Sequence, residues 1–390
     1  MSMQGVFLVK ISYYSMLWMV IFVTTSFGAV MARDVVVPRS VESDVAWHVA
    51  HDIGVEGQGW ADVESPFDRL PARAKESVRA AVWGLSKQSA GLCVRFVTDA
   101  TEIHARWTLS SSRLAMNHMP ATGVSGLDLY ASTRTVGESD GKLRWLAVGR
   151  PSAKENSVKL VSGISTGKRE YMLYLPLYNG IESVEIGVPK NVKIWKPAAR
   201  KSGLKPVVFY GTSITQGGCA SRPGMVHTGI LGRWLDAPVI NLGFSGNGRM
   251  EAEVATLMAE LDASVFVIDC LPNISAGDVA SRTEPLVQIL RKTHTSTPIV
   301  LVEDRSYTDS FLIESKRKRN LTSRAALKAV FDRLKSGGDA NLYYIPGEDL
   351  IGGDGEGTVD SSHPTDLGFV RQSEAFLRVL RPILRARAAR

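Results

Sequence analysis

Residues 206–218 read Pro206-Val207-Val208-Phe209-Tyr210-Gly211-Thr212-Ser213-Ile214-Thr215-Gln216-Gly217-Gly218, and their pattern decides the fold of the half that follows. A short apolar run between a proline and a glycine has the length and character of a strand buried on both faces. The polar residues after it, closed by two glycines, predict a tight turn into a helix. The same grammar recurs at 239–242, 265–269, 299–302 and 342–345, each run being followed by a helix-length segment. Strands alternating with helices imply a parallel sheet covered on both faces, an α/β layer architecture. In such sheets ligands bind beyond the carboxyl ends of the strands, so chemistry is expected in the residues just after each run.

Upstream the period is two. Leu92, Val94 and Phe96 alternate with Cys93 and Arg95, and Ile103, Ala105, Trp107 and Leu109 alternate with His104, Arg106 and Thr108. These predict half-buried antiparallel strands. Further short runs at 127–131, 143–148, 171–175 and 184–188, separated by Gly, Ser and Asn turns, complete a β-sandwich of jelly-roll-like type. Between Pro189 and Pro206 the chain turns rich in Lys, Arg and Pro, the composition of an exposed linker. The expected organisation is a sandwich over 40–190, a linker over 191–205 and an α/β domain over 206–390.

The first 32 residues stand apart. Lys10 is the one charge before an apolar stretch from Ser15 to Ala32 that ends in Val30-Met31-Ala32. That is the form of a signal peptide with small residues at the cut, and an uncleaved membrane anchor is the alternative. With cleavage no stable membrane insertion is expected, and either way the chain after residue 32 leaves the cytoplasm for the periplasm, the cell surface or the medium.

The 390 residues are 44% hydrophobic and 22% charged, a profile of a soluble globular chain long enough for two cores. The formal net charge of +7 includes a basic tail, Arg381 to Arg387. No basic stripe interleaves with aromatics, so nucleic acid is not an expected partner. Three cysteines, Cys93, Cys219 and Cys270, are too few for a disulfide scaffold and lack metal-site spacing. At most one bridge can form, and Cys219 with Cys270, both after strand-end loops, is the candidate pair.

Ser213 sits on the turn after the first run, where a helix start offers N–H groups and a dipole to a developing oxyanion. A serine there is equally an ordinary helix cap. The second half of the constellation is Asp360-Ser361-Ser362-His363-Pro364, after the last run. A carboxylate three residues before a histidine can hold the ring through Nδ1, leaving Nε2 to take a proton from a serine. Ser213, His363 and Asp360 are therefore the candidate catalytic residues. Oxyanion donors are sought in the backbone of Ser213, in Gly246 after the second run and in the side chain of Asn273 after the third.

The order Ser, Gly, Asn, His resembles that of the SGNH (GDSL-like) hydrolase family. The sequence is similar to the branch with Gly-x-Ser-Ile-Thr at the nucleophile and an N-terminal domain marked Gly-x-Asp-Leu-Tyr, here Gly126-Leu127-Asp128-Leu129-Tyr130. The resemblance runs from about Trp60 to Ile383 and includes the Asn241-x-Gly243-x-Ser245-Gly246 block. It implies a flavodoxin-like three-layer α/β/α domain, an acyl-serine mechanism, no metal and no organic cofactor. It also implies hydrolysis of esters, often short acyl groups on carbohydrates, from small molecules to polysaccharides. One departure is the third block, where Cys270-Leu271-Pro272-Asn273-Ile274 replaces the usual Gly-x-Asn-Asp.

Other signals have blander or rival readings. Gly243-x-x-Gly246-x-Gly248 lacks the spacing of a dinucleotide fingerprint. Gly352 to Gly357 with Asp360 resembles a calcium loop in composition but not in ligand spacing. Arg305, at the end of the fourth run, is either a substrate contact or one half of an internal ion pair. His118, in a long sandwich connection, is a candidate substrate contact, whereas His227 reads as structural. Asn273-Ile274-Ser275 and Asn320-Leu321-Thr322 match a glycosylation pattern. Two rivals to a short-chain esterase are a lipase or thioesterase for longer acyl chains and a non-catalytic carbohydrate-binding protein.

Overall fold

A computed structural model describes residues 44–138, 141–200 and 202–388; the expected signal peptide lies outside them. Ten strands come first: β1 (Val45–Val49), β2 (Val55–Glu56), β3 (Cys93–Thr98), β4 (Glu102–Leu109), β5 (Leu127–Ser132), β6 (Leu143–Gly149), β7 (Glu155–Ser162), β8 (Arg169–Tyr174), β9 (Ile181–Pro189) and β10 (Ile194–Trp195). They form two antiparallel sheets, one in the order β1-β9-β4-β7, the other β10-β3-β8-β5-β6 with β2 beside β3. Between the sheets lie Val94, Phe96, Ala105, Trp107, Leu129, Leu173 and Ile186, the residues that period two assigns to the inner face.

The outer face of β3 is not half-exposed as the alternation suggests, for all six residues are buried. The reason is tertiary: this face packs on the α/β layer, where Tyr174 donates from its hydroxyl to the Gly229 carbonyl at 3.1 Å. Arg95 reaches Glu56 and Glu170 at 2.8 and 2.7 Å there. The segment 191–205 likewise does more than link. It adds β10 to β3, and it seats Arg200, with 8% of its side chain exposed, against Glu56 and Asp236.

Strands β11 (Val207–Gly211), β12 (Val239–Gly243), β13 (Val265–Asp269), β14 (Ile299–Val302) and β15 (Leu342–Ile345) form a parallel sheet in the order β12-β11-β13-β14-β15. This is the doubly wound, flavodoxin-like order, with the switch point at β11. Val208, Tyr210, Ile240, Phe266 and Leu301 face the helices Ala252–Met258, Ala276–Thr293 and Glu314–Ser336. Val207, Phe209, Val267 and Val300 face His227–Leu235 and Asp366–Ala388. Trp60, Leu70, Ala74, Val78 and Val82 join the first of these cores, so part of the N-terminal half packs on the α/β sheet.

All three cysteines are buried free thiols, so the candidate Cys219–Cys270 bridge is not formed. Cys270 donates to the Tyr210 carbonyl at 3.6 Å inside the sheet. Burial, reinforced by the nearby Asp360 carboxylate, pushes the Cys219 thiol up to about 12.

Candidate active site

The switch point builds the nucleophile turn. β11 ends at Gly211, level with Gly243 of β12 and Asp269 of β13. The turn fits only because glycines surround it: a Cβ on Gly243 would lie 2.1 Å from the Gln216 nitrogen, and one on Gly248 would lie 1.8 Å from the Gly211 oxygen. Thr212 caps the helix Ser213–Gln216 by accepting from Ile214 N–H, and Gly217 closes it in the left-handed region at φ 117°. The helix is a single turn, so the dipole expected of it shrinks to its first N–H groups. Ser213 itself is 9% exposed.

Ser213 Oγ stands 2.7 Å from His363 Nε2, and His363 Nδ1 stands 2.7 Å from Asp360 Oδ2. The other Asp360 oxygen accepts the backbone N–H groups of His363 and Ser362, at 2.8 and 3.1 Å. An acceptor-only carboxylate on Nδ1 requires the proton there, leaving the Nε2 lone pair for the serine hydroxyl. Burial alone would raise the Asp360 carboxyl. The His363 N–H, the His363 ring and the Ser362 N–H outweigh it and hold the group below the usual carboxylate value. Being depressed, its contribution to stability is present above the ordinary carboxylate pKa and is lost as pH falls through the lowered folded value.

Further supports of the histidine come from the 308–316 region and from its own loop. Thr308 N–H donates to the Ser361 carbonyl at 3.1 Å, Lys316 donates to Ser361 Oγ at 2.7 Å, and Val359 N–H donates to the His363 carbonyl at 2.9 Å.

Two further N–H sources flank the nucleophile turn. Asn247 and Gly248 N–H groups both donate to the Phe244 carbonyl, at 2.8 and 2.9 Å. Among the described residues the N–H of Gly246 has no acceptor, and its φ of 68° suits glycine. With its amide oxygen turned to the same Asn247 and Gly248 N–H groups, at 3.1 and 3.2 Å, Asn273 shares both with the Phe244 carbonyl; the opposite orientation would set amide nitrogen against donors. Its Nδ2 hydrogens then point away from that turn as donors.

His118 comes to the site: its ring centre lies 6.0 Å from that of His363. Arg305 does not. It is 2% exposed, donates to both Asp269 oxygens at 2.9 and 2.6 Å and to Gln372 at 2.8 Å, and so the substrate-contact reading gives way to the internal ion pair. Its partner Asp269 in turn accepts from Thr215 at 3.2 Å, beneath the nucleophile turn. His227 is buried, both its ring nitrogens without a partner among the described residues, and it stacks on Phe369 at 5.8 Å. Burial and the nearby Arg305 charge depress its pKa well below the usual value, so it packs as a neutral ring. Asp354 is held by Arg371 at 2.7 Å, which occupies the carboxylate of the calcium-like loop. Asn320 is 4% exposed with its amide bonded to Tyr307 N–H and the Arg305 carbonyl, which removes it as a glycosylation acceptor.

Several supports were invisible in the sequence because their partners are distant in it. Tyr178, on the connection between β8 and β9, donates from its hydroxyl to the Ser213 carbonyl at 3.1 Å. Gln216 donates to Gln88 and to the Leu177 carbonyl and accepts from Ser245 N–H at 2.9 Å. Arg69, 1% exposed, donates to the carbonyls of Asn241 and Gly243 at 3.0 and 2.8 Å. The residues around the sandwich thus hold the nucleophile turn from outside the α/β layer.

Residues 204–381 match the GDSL-like lipase/acylhydrolase family, and residues 45–194 match the GxDLY domain found at the N-terminus of SGNH-hydrolase-type esterases. A candidate GDSL-like lipase from Bacteroides ovatus is 33% identical, with a TM-score of 0.81 over 87% of this chain and 98% of that one. A salicylyl-acyltransferase from a tetracycline biosynthetic pathway shares the fold at 19% identity and TM-score 0.66, covering 87% of this chain and 98% of its own. A family two carbohydrate esterase from Clostridium thermocellum shares it at 14% identity and TM-score 0.54, covering 76% and 93%. No curated protein is matched.

Proposed function

Since the chain belongs to the GDSL-like lipase/acylhydrolase family, with the GxDLY domain at its N-terminus, and is a carboxylic ester hydrolase, we propose that it removes short acyl groups, acetyl foremost, from carbohydrate esters through an acyl-serine. The observation that carries the mechanism is the unbroken line Ser213 Oγ–His363 Nε2 and His363 Nδ1–Asp360 Oδ2, each at 2.7 Å. His363 takes the hydroxyl proton as Ser213 attacks the ester carbonyl, and the imidazolium that forms is stabilised by Asp360. The N–H groups of Ser213 and Gly246 and the Asn273 amide receive the negative oxygen. His363 then gives its proton to the departing alcohol oxygen, and afterwards activates the water that releases the acid. An intact relay of this kind argues against a purely binding role.

A small acyl group is supported by a nucleophile only 9% exposed. A sugar alcohol is supported by the polar approach to His363: Asn117 and His118 are both exposed at the tip of a short bridge between Met116 and Met119. A carbohydrate esterase of the same fold adds to this. The purified protein is expected to release acetate from acetylated polysaccharides, and His118→Ala to raise KM for the polysaccharide several-fold while leaving p-nitrophenyl acetate hydrolysis nearly unchanged. Equal effects on both substrates would remove His118 from the sugar side.

The second reading, an enzyme for longer acyl chains, is favoured by one feature. Phe311 and Leu312 are 78% and 77% exposed on the segment that Thr308 ties to the catalytic loop at Ser361. A hydrolysis rate that climbs from acetate to octanoate esters would select it over the acetyl reading.

Export rests on the apolar stretch 15–32. We place the working enzyme outside the cytoplasm, with Arg33 as the expected first residue of the mature protein. N-terminal sequencing of material from the producing cell checks the cleavage, a retained Met1 would refute it in favour of the anchor, and activity confined to the cytoplasm would refute export.

A further inference from the structure

Between the nucleophile and the helix His227–Leu235 runs a segment, residues 217–224, that touches three parts of the molecule. At its start Gly218 N–H donates to the Ser213 carbonyl at 2.7 Å. The same glycine lies under the catalytic ring, since a Cβ added to it would be 3.2 Å from His363 Cδ2 and 3.0 Å from the Tyr178 hydroxyl. In its middle Ser221 donates twice to Asp366, from N–H to Oδ1 at 2.9 Å and from its hydroxyl to Oδ2. Asp366 opens the last helix, three residues after His363.

At its end the segment is bolted to the sandwich. Asp128, the acidic residue of Gly126-Leu127-Asp128-Leu129-Tyr130, is fully buried. It accepts from Arg222 Nη1 at 2.9 Å, from Gly224 N–H at 2.8 Å and from Trp145 Nε1 at 3.0 Å. Arg222 donates as well to the Tyr130 hydroxyl at 2.6 Å, with its guanidinium 5.2 Å from the Trp145 ring centre. Thr122 donates to the Ser221 carbonyl at 2.6 Å, and a Cβ on Gly123 would fall 2.2 Å from the Ala220 oxygen. Two backbones that close leave no slack between sandwich and segment.

We infer that the Asp128–Arg222 latch and the Ser221–Asp366 link are one positioning device, by which the sandwich sets the separation of Ser213 and His363. The reading explains why a buried carboxylate is kept on a strand remote from the reacting atoms. The His363 loop follows the glycine-rich stretch 352–357 and is partly exposed, and the contacts that Thr308, Lys316 and Val359 make to it lie at or before His363. Anchoring Asp366 fixes the chain immediately after His363, while Gly218 bounds the ring from the nucleophile side. Asp128, Arg222, Ser221 and Asp366 touch no reacting atom and are positioning residues. A misplacement of about 1 Å in such a relay costs up to about a hundredfold in rate.

The inference rests on Ser213 and His363 acting as nucleophile and base, and the experiment separates the two. Steady-state hydrolysis of p-nitrophenyl acetate, melting temperature and the rate of labelling by a fluorophosphonate are measured for Ser221→Ala, Ser221→Thr, Asp128→Asn and Ser213→Ala. For Ser221→Ala and Asp128→Asn, kcat and the labelling rate are expected to fall about tenfold, with KM within about twofold of the parent. The melting temperature of Ser221→Ala should stay within about 2 °C, and Ser221→Thr, which keeps the hydroxyl, should restore kcat. Parental kcat in both Ser221→Ala and Asp128→Asn, beside an inactive Ser213→Ala, overturns the positioning device and leaves the mechanism standing. So does a loss of kcat that tracks melting temperature and that threonine does not restore. Parental activity in Ser213→Ala overturns the mechanism itself.

Discussion

Replacing Ser213 by alanine should lower kcat/KM for p-nitrophenyl acetate by about 10⁴-fold or more, and replacing His363 by alanine should cost about as much. The double variant should be no worse than either. In the proposed mechanism hydroxyl and imidazole act as a unit: with the two 2.7 Å apart, the Nε2 lone pair takes the serine proton during attack, so removing either partner abolishes the same step. What survives is the rate supplied by the oxyanion donors and by binding, which both single variants retain. Asp360 belongs to the same unit through its 2.7 Å bond to Nδ1, which fixes the tautomer. Two outcomes would refute this: single-variant losses that multiply in the double variant, or a serine-free enzyme that still turns over at the parental rate.

Replacing Asn273 by alanine should lower kcat by about 10²–10³-fold with little change in KM, because in the proposed mechanism its amide meets the substrate oxygen only once that oxygen carries charge. Turned so that its oxygen accepts from Asn247 and Gly248 N–H, at 3.1 and 3.2 Å, the side chain is left with its Nδ2 hydrogens as donors. Its neighbours depart from the family pattern, and the structure shows what replaces them. Pro272 restricts φ in the short turn Leu271–Asn273, Arg319 donates to the Pro272 carbonyl at 2.7 Å, and Ile274, 3% exposed, packs in the core beside β13. Asn273→Asp keeps the shape but turns an acceptor oxygen on the developing anion, and its loss should equal or exceed that of alanine. Unchanged kcat in Asn273→Ala would leave the oxyanion to the backbone N–H groups of Ser213 and Gly246 alone.

The last helix and its approach were readable from short-range pattern alone. A carboxylate three residues before a histidine is a local arrangement, and Asp360 holds both the His363 ring and its N–H as that spacing allows. The alternation of strands and helices after Pro206 likewise specified a parallel sheet, since each apolar run must be covered on both faces. Order along the sheet then placed Ser213, Gly246 and Asn273 at the ends of three adjacent strands.

Side-chain direction and what lies on the far face of each element were decided only in three dimensions. Arg305 stands at a strand end, where a substrate contact is reasonable by position, but a buried carboxylate on the neighbouring strand turns it inward. Cys219 and Cys270 are both near the site by topology, and burial in separate packing leaves them unpaired. Period two along β3 indicated one wet face, which the α/β layer covers. The sequence by itself therefore determined the periodic elements, the parallel sheet and which residues are the candidates for the reacting groups, because these follow from residue type and near spacing. Only the tertiary structure decided the supports, Tyr178, Gln216, Arg69 and the Asp128–Arg222 latch, because each joins residues whose separation along the chain carries no local signal.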